Sequence, residues 1–277
     1  MIHSIVQYRG LLWLFVRRDL RMRYAGSVLG SFWNVIHPLI MVGIYIVIFG
    51  QVMANMAAGS ERAGGLSRLD YAIHLCAGII PWLLFSEILT RSGNVLLENG
   101  NFLRKLAFPA EILPLSIFVN AFILHGISAV FLMGLLLVLG VPLGPTALCY
   151  FLVMLGMGAM ALGLGLFVSI INVYVRDFGQ FLQILLQFLF WMLPILWYRE
   201  DMGPFIQMLF DWNPLSYFIR AGQAMLAPGA EMLSPRGHVV VPPGAHDLPH
   251  MILWPTVLLT LGAMFFRQQR QAVLDEL

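Results

Sequence analysis

Between Glu111 and Arg176 stand 64 consecutive residues without one formally charged side chain, and Ala25–Ser60 is a second run of the same kind. Ordinary soluble domains carry about 25% charged residues. This chain carries 11%, against 60% hydrophobic, and cannot clothe a water-facing surface. About 20 apolar residues, rising 1.5 Å each as a helix, cross a ~30 Å hydrocarbon core. Val35–Ala54 meets that length with no charge to strand in lipid, and the pattern recurs down the chain. The expected fold class is an all-α integral membrane protein, one helical bundle over residues 1–277. A soluble protein with a single buried helix does not fit that recurrence.

Six transmembrane helices are expected, at 35–54, 71–90, 112–139, 146–171, 178–198 and 251–266. Gly140, Pro142, Gly144 and Pro145 divide the long uncharged run into a hairpin of two spans. Ahead of the first span lies Leu11–Tyr24, apolar bulk mixed with Arg17, Arg18, Arg21 and Arg23. Arg17, Arg18 and Arg21 share one arc of a 3.6-residue helix; Trp13, Val16, Leu20 and Tyr24 share another. Such a helix suits the membrane interface. Phe205–Trp212 and Leu215–Leu226 are each too short to cross and read as two short re-entrant helices, a pair at 205–226. Arg9 and the arginines at 17–23 flank too short an apolar run for a cleaved signal peptide.

Orientation follows the Lys/Arg count. Eleven fall on the side of the termini and five on the other, which puts both termini in the cytoplasm. Cys76 and Cys149 lie in apolar segments and read as small buried hydrophobes. Nothing matches a phosphate-cradling G-x-x-x-x-G-K-[ST] loop, so no nucleotide hydrolysis is expected in this chain. No metal-ligand spacing and no nucleophile–base pair stands out, so no catalytic residue, metal or resident cofactor is expected. Gly156-Met-Gly158-Ala-Met-Ala161, in mid-span, reads as close helix packing, as do the small pairs Ala159/Gly163 and Ala161/Gly165. Glu87 and Arg91, four apart, read as a pair at the cytoplasmic rim.

Three surfaces remain. Phe102, Leu103, Arg104, Lys105 and Phe108 set apolar bulk beside cations in a cytoplasmic connector, a surface for a partner protein or the membrane. Gln180, Gln183 and Gln187 share one face of span five, fit for interhelical hydrogen bonds or for a polar conduit. Aromatics crowd Phe188–Phe218, where ten of 31 residues carry rings against 13% overall. An interface belt accounts for part of them. Trp191, Trp197, Tyr198, Trp212, Tyr217 and Phe218 are the candidates for stacking on sugar rings.

Arg17-Arg-Asp-Leu-Arg-Met-Arg-Tyr24, Gly30-Ser-Phe-Trp-Asn34, Pro38, Gly78-Ile-Ile-Pro-Trp82, Val173-Tyr-Val-Arg-Asp177 and Trp212-Asn-Pro-Leu215 occur in that order. Together they resemble the permease subunit of polysaccharide ABC exporters, nearest to O-antigen and other lipopolysaccharide-glycan exporters. The resemblance implies a homodimer in the bacterial inner membrane, docked on two copies of a separate ATPase subunit that binds ATP and Mg. It implies a lipid-diphosphate-linked glycan as cargo, membrane lipids as surroundings, and no nucleic-acid partner. It implies that Asn101–Phe108 is the coupling helix, and that the outer pair at 205–226 gates the path. The arginines at 17, 18, 21 and 23 could grip a diphosphate bidentately, or serve as a positive-inside anchor. A drug or lipid ABC exporter is the sibling reading; a membrane enzyme or secondary transporter is the other class.

The topology yields a direct test. In a chain freed of Cys76 and Cys149, cysteines introduced at Ser67 and His238 should react with an impermeant maleimide on intact cells. One introduced at Gln268 should not, and reaction there reverses the orientation.

Overall fold

The computed structural model describes residues 7–23, 26–27, 29–33, 36, 39–45, 47–48, 68–105, 109–226, 244 and 247–276. All regular structure among them is helical. The helices are α1 (Arg9–Met22), α2 (Arg68–Glu98), α3 (Gly100–Lys105), α4 (Ile112–Val138), α5 (Tyr150–Tyr174), α6 (Phe178–Trp191), α7 (Pro204–Trp212), α8 (Pro214–Leu226) and α9 (Leu248–Glu276). Four of them, α2, α4, α5 and α9, are long and apolar enough to cross a membrane. Half of the expected first span lies outside the described residues; 36, 39–45 and 47–48 within it are helical.

Two helix lengths differ from expectation. α6 stops at Trp191 instead of Tyr198, after 14 residues, or roughly 21 Å. Pro194 disfavours helix in the residue before it and supplies no amide hydrogen, so Met192–Trp197 leave as turns. α9 runs the other way, on to Glu276 instead of ending at Phe266. Phe266 and Val273, two turns apart, are both buried and hold this polar-flanked extension on the bundle.

The α4–α5 hairpin shows how sequence closes a helix. Gly140 takes φ +79°, a left-handed conformation that costs glycine nothing. Its amide donates to Leu137 O and that of Val141 to Leu136 O, at 3.1 and 2.9 Å. These two bonds satisfy carbonyls the helix end would orphan, in a Schellman pattern. Val141 and Leu136, which the motif brings together, are both buried in the core.

α5 is the axis of the bundle, packed against α2 and α9, with α8 crossing both α2 and α5. Its glycines let neighbours come close. A Cβ at Gly156 would strike the ring of Phe218; one at Gly158 would strike Phe118. Gly163 faces Gly262 of α9 so closely that a Cβ on either would overlap the other helix's backbone. In lipid, such contact supplies packing where no hydrophobic drive separates helix from solvent. Two clusters of buried side chains result. The larger fills the space between α2, α5 and α8. The smaller gathers Phe15 of α1, Leu103 of α3, Ile112 and Leu113 of α4, Leu166 of α5 and Phe266 of α9 at one end.

Gly262→Leu should therefore lower the yield of monodisperse protein in detergent and its melting temperature. Overpacking typically costs about 1–3 kcal/mol, and here backbone must yield. Gly134→Leu, at a position with nothing within 4 Å of its Cβ, should be tolerated in the same assay.

Candidate functional site

The α1 end of the bundle concentrates the charge. Phe15 and Val16 are the buried residues of α1. Asp19 and Arg23 extend the Phe15 side of the helix at steps of four. The Arg91 guanidinium donates to Asp19 Oδ1 at 2.5 Å and to Glu87 Oε1 at 3.3 Å. Arg23 also donates to Glu87 Oε1. His125 Nε2 lies 2.9 Å from Glu87 Oε2, and the Asn120 amide donates to Asp19 Oδ2. α1, α2 and α4 thus meet in one ionic cluster. A cavity of about 400 Å³ opens beside it, polar at Arg23, Glu87, Arg91 and His125 and apolar at Val42, Ile79, Ile80 and Leu83.

α3 packs against the same end. Leu103 is 7% exposed and sits in the smaller cluster, whereas Phe102 is 47% exposed. Leu103 therefore anchors the segment and is withdrawn from the docking face expected of it. The Arg18 guanidinium lies 5.6 Å from the Phe102 ring centre and 4.8 Å from that of Phe15, and donates to Asn99 Oδ1 at 3.0 Å. The side chains of Arg104 and Lys105 and all of Phe108 lie outside the described residues.

α6 starts near the α1 end, where the Gly179 amide donates to Asn172 Oδ1 and Asn172 donates to Asn94 Oδ1. Gln180, Gln183 and Gln187 are exposed together on it, while Leu182 and Leu186 are its buried residues. Trp191, Trp197 and Trp212 are exposed too. Tyr217 is half-buried, stacked on His250 at 4.9 Å, its hydroxyl donating to Asp211 O. Tyr198 and Phe218 depart from expectation. Tyr198 is 3% exposed and stacked on His74 at 4.1 Å; Phe218 is 1% exposed against Gly156. Both are core residues of this one chain and present no face to a passing sugar.

The short helices α7 and α8 owe their shape to local chemistry. Each begins with proline at its first position, where a missing N–H costs nothing. Between them Asn213 Oδ1 accepts from the Leu215 amide at 3.0 Å, capping α8. Asp211 takes two donors from Arg199 and has Arg220 at 4.0 Å, tying α7 to both neighbours. That hydrogen bonding holds the Arg199 guanidinium above its ordinary range.

Residues 10–226 match the family described as ABC-2 type transporter. The chain belongs to that family. It is similar to the O-antigen export system permease protein RfbA of Myxococcus xanthus, with 29% identity over 201 residues, covering 71% of this chain and 72% of that one. Two Klebsiella pneumoniae proteins of the same name are 26% and 27% identical over 234 and 224 residues. Each match covers 79% of this chain and 81% of the relative.

This ABC-2 transporter is a multi-pass membrane protein whose matched region takes in α1 to α8. The four arginines at 17, 18, 21 and 23 divide by what they touch. Arg18 and Arg23 turn into the protein, whereas Arg17 lies over Trp13 at 5.4 Å and Arg21 is exposed. Trp13 is itself 46% exposed, whereas Val16 on the same arc is buried. Asp19, Asn120 and His125 are not among the residues that the sequence assigns to a site. Asp19 carried a signal, as the lone acid among four arginines. Asn120 and His125 carried none, since each stands alone in an apolar helix.

Phe218→Ala should destabilise the ABC-2 transporter by about 3–5 kcal/mol, the usual cost of emptying a buried aromatic site. Trp212→Ala, at a residue 82% exposed, should stay within about 0.5 kcal/mol. Thermal melts of the two variants in one detergent separate core ring from surface ring.

Proposed function

We propose that this chain is the membrane subunit of an ATP-driven exporter that moves a lipid-linked polysaccharide of O-antigen type out of the cytoplasm. The observation that carries the reading is family membership across α1 to α8, joined to three relatives all named O-antigen export permeases. ATP and Mg belong to a separate ATPase subunit, two copies per complex. Exposed Phe102 on α3, held beside Arg18, offers that subunit an apolar knob. The end of the bundle with α1 and α3 is cytoplasmic, in accord with its share of Lys and Arg.

The transporter works as a homodimer in the bacterial inner membrane, each chain with six spans and α7 and α8 re-entrant. α6 supports pairing: Phe181, Ile184, Leu185, Phe188 and Trp191 are all exposed in the single chain, and twofold pairing sets one such face against its equal. Gln180, Gln183 and Gln187 then border the path, with Trp191, Trp197 and Trp212 as shallow footholds for sugar rings. Tyr217 adds a partial face. Of the arginines, Arg17 and Arg21 remain open to a lipid diphosphate, since Arg18 and Arg23 already hold protein partners.

The test is co-expression with the ATPase encoded beside it, purification of the complex, and measurement of glycan-stimulated ATP hydrolysis. Phe102→Asp should abolish association with the ATPase, and with it export, while membrane insertion persists. Burying a phenylalanine is worth about 1.5–3 kcal/mol, so its loss to a charge weakens docking by tenfold or more. Full association and export in that variant would remove Phe102 from the contact.

A further inference from the structure

Two cavities share a wall at the α1 end. The larger, about 400 Å³, is the amphipathic cavity bordered by Glu87 and His125. The smaller, about 150 Å³, is lined by Arg18, Asp19, Asn94, Glu98, Asn99 and Ser116, so it is polar. Thr90 and Arg91 line both. Arg91 therefore stands between a polar vestibule and an amphipathic chamber, held there by Asp19 from one side and Glu87 from the other.

The cluster balances its own charge. Arg23 and Arg91 answer Asp19 and Glu87, with His125 against Glu87 and Asn120 against Asp19. Ion pairs thus stand in the wall, beside the apolar lining that Phe15, Val95, Leu113 and Ile117 give the vestibule. α1 has two buried residues, Phe15 and Val16, so these pairs make up much of its seat. The residue next to Asp19 is Arg18, which bonds Asn99 and covers Phe102 of α3. Adjacent residues of one helix therefore grip α3 and close the wall.

We propose that Asp19 and Arg91 are positioning residues for transport: their pair closes the passage between vestibule and chamber, and Arg18 ties that closure to α3. Displacement of α3 by the ATPase pulls α1 through Arg18, separates Asp19 from Arg91 and opens the chamber to water. The inference rests on the exporter reading, because the ATPase supplies the displacement. Broken pairs need no external reagent, since each charge gains water as it parts from its partner.

The experiment uses the complex with its ATPase, from a chain lacking Cys76 and Cys149 and carrying Ser86→Cys in the larger cavity. A small water-soluble maleimide reports water at position 86, with and without ATP and vanadate. With no other change, trapping should accelerate labelling at least about fivefold, the lower range of ordinary coupling between sites. Adding Asp19→Asn should give fast labelling in both states, since the wall is already open. Adding Asp19→Glu should restore slow labelling without nucleotide. Adding Arg18→Ala should give slow labelling in both states, because the wall is intact and its tie is cut. A purely structural role for these residues would not move the two variants in opposite directions.

An unchanged nucleotide response in Asp19→Asn overturns the proposal. So does failure of the complex to assemble with both Asp19→Asn and Asp19→Glu, which makes the pair a folding element only. If the ATPase co-purifies but the Ser86→Cys protein shows no nucleotide response, this inference falls and the exporter reading stands. If no ATPase co-purifies, the exporter reading falls and takes the inference with it.

Discussion

A carboxylate at position 87 has to find cations, and it finds one on its own helix, Arg91, and another, Arg23, at the end of α1. Glu87 and its partners keep between 18% and 32% of their side-chain surface exposed, with His125 at 14%. Removing one member of a buried pair costs about 3–5 kcal/mol, whereas a solvent-exposed pair is worth about 0–1. The cluster stands between those limits, tight enough to seat α1 and wet enough to open. The whole α1 end depends on it. Without Asp19 and Arg23, α1 keeps Phe15 and Val16 as its buried contacts, and Arg18 loses its fixed position over Phe102.

The rest of the bundle is built on the opposite principle. Along α5 no charge is exchanged, and glycine sets the spacing. Gly163 against Gly262 brings α5 and α9 to backbone contact, while Gly156 and Gly158 receive whole aromatic rings from α8 and α4. A rigid apolar axis beside a self-balanced ionic joint is a mechanically useful pair. Packed cores do not deform continuously, so movement concentrates where ion pairs can exchange partners for water.

Several features could be read from the chain directly. The uncharged runs required apolar helices, because lipid burial is a sum over residues and needs no knowledge of neighbours. Gly140 and Pro145 marked the hairpin, and Asn213-Pro214 marked the break between α7 and α8, because capping is local. The aromatic-rich segment was visible as composition, yet composition does not say which ring faces in. Tyr198 and Phe218 are buried, while Trp212, in the same stretch, is among the described residues the most exposed large apolar side chain after Val138. The difference lies in what stands opposite: Phe218 meets a glycine at position 156, far away in the chain.

The sequence by itself determined an all-helical membrane protein, the approximate places of its long helices and the breaks between them. Each of these follows from residues within a few positions of one another. The tertiary structure alone decided how far α9 extends, that Leu103 anchors α3 inward, and that Arg23, Glu87, Arg91, Asp19 and Asn120 form one joint. Those pairings join positions 64, 72 and 101 residues apart. A charge in a sequence declares that it needs a partner, but its choice depends on which helices stand side by side.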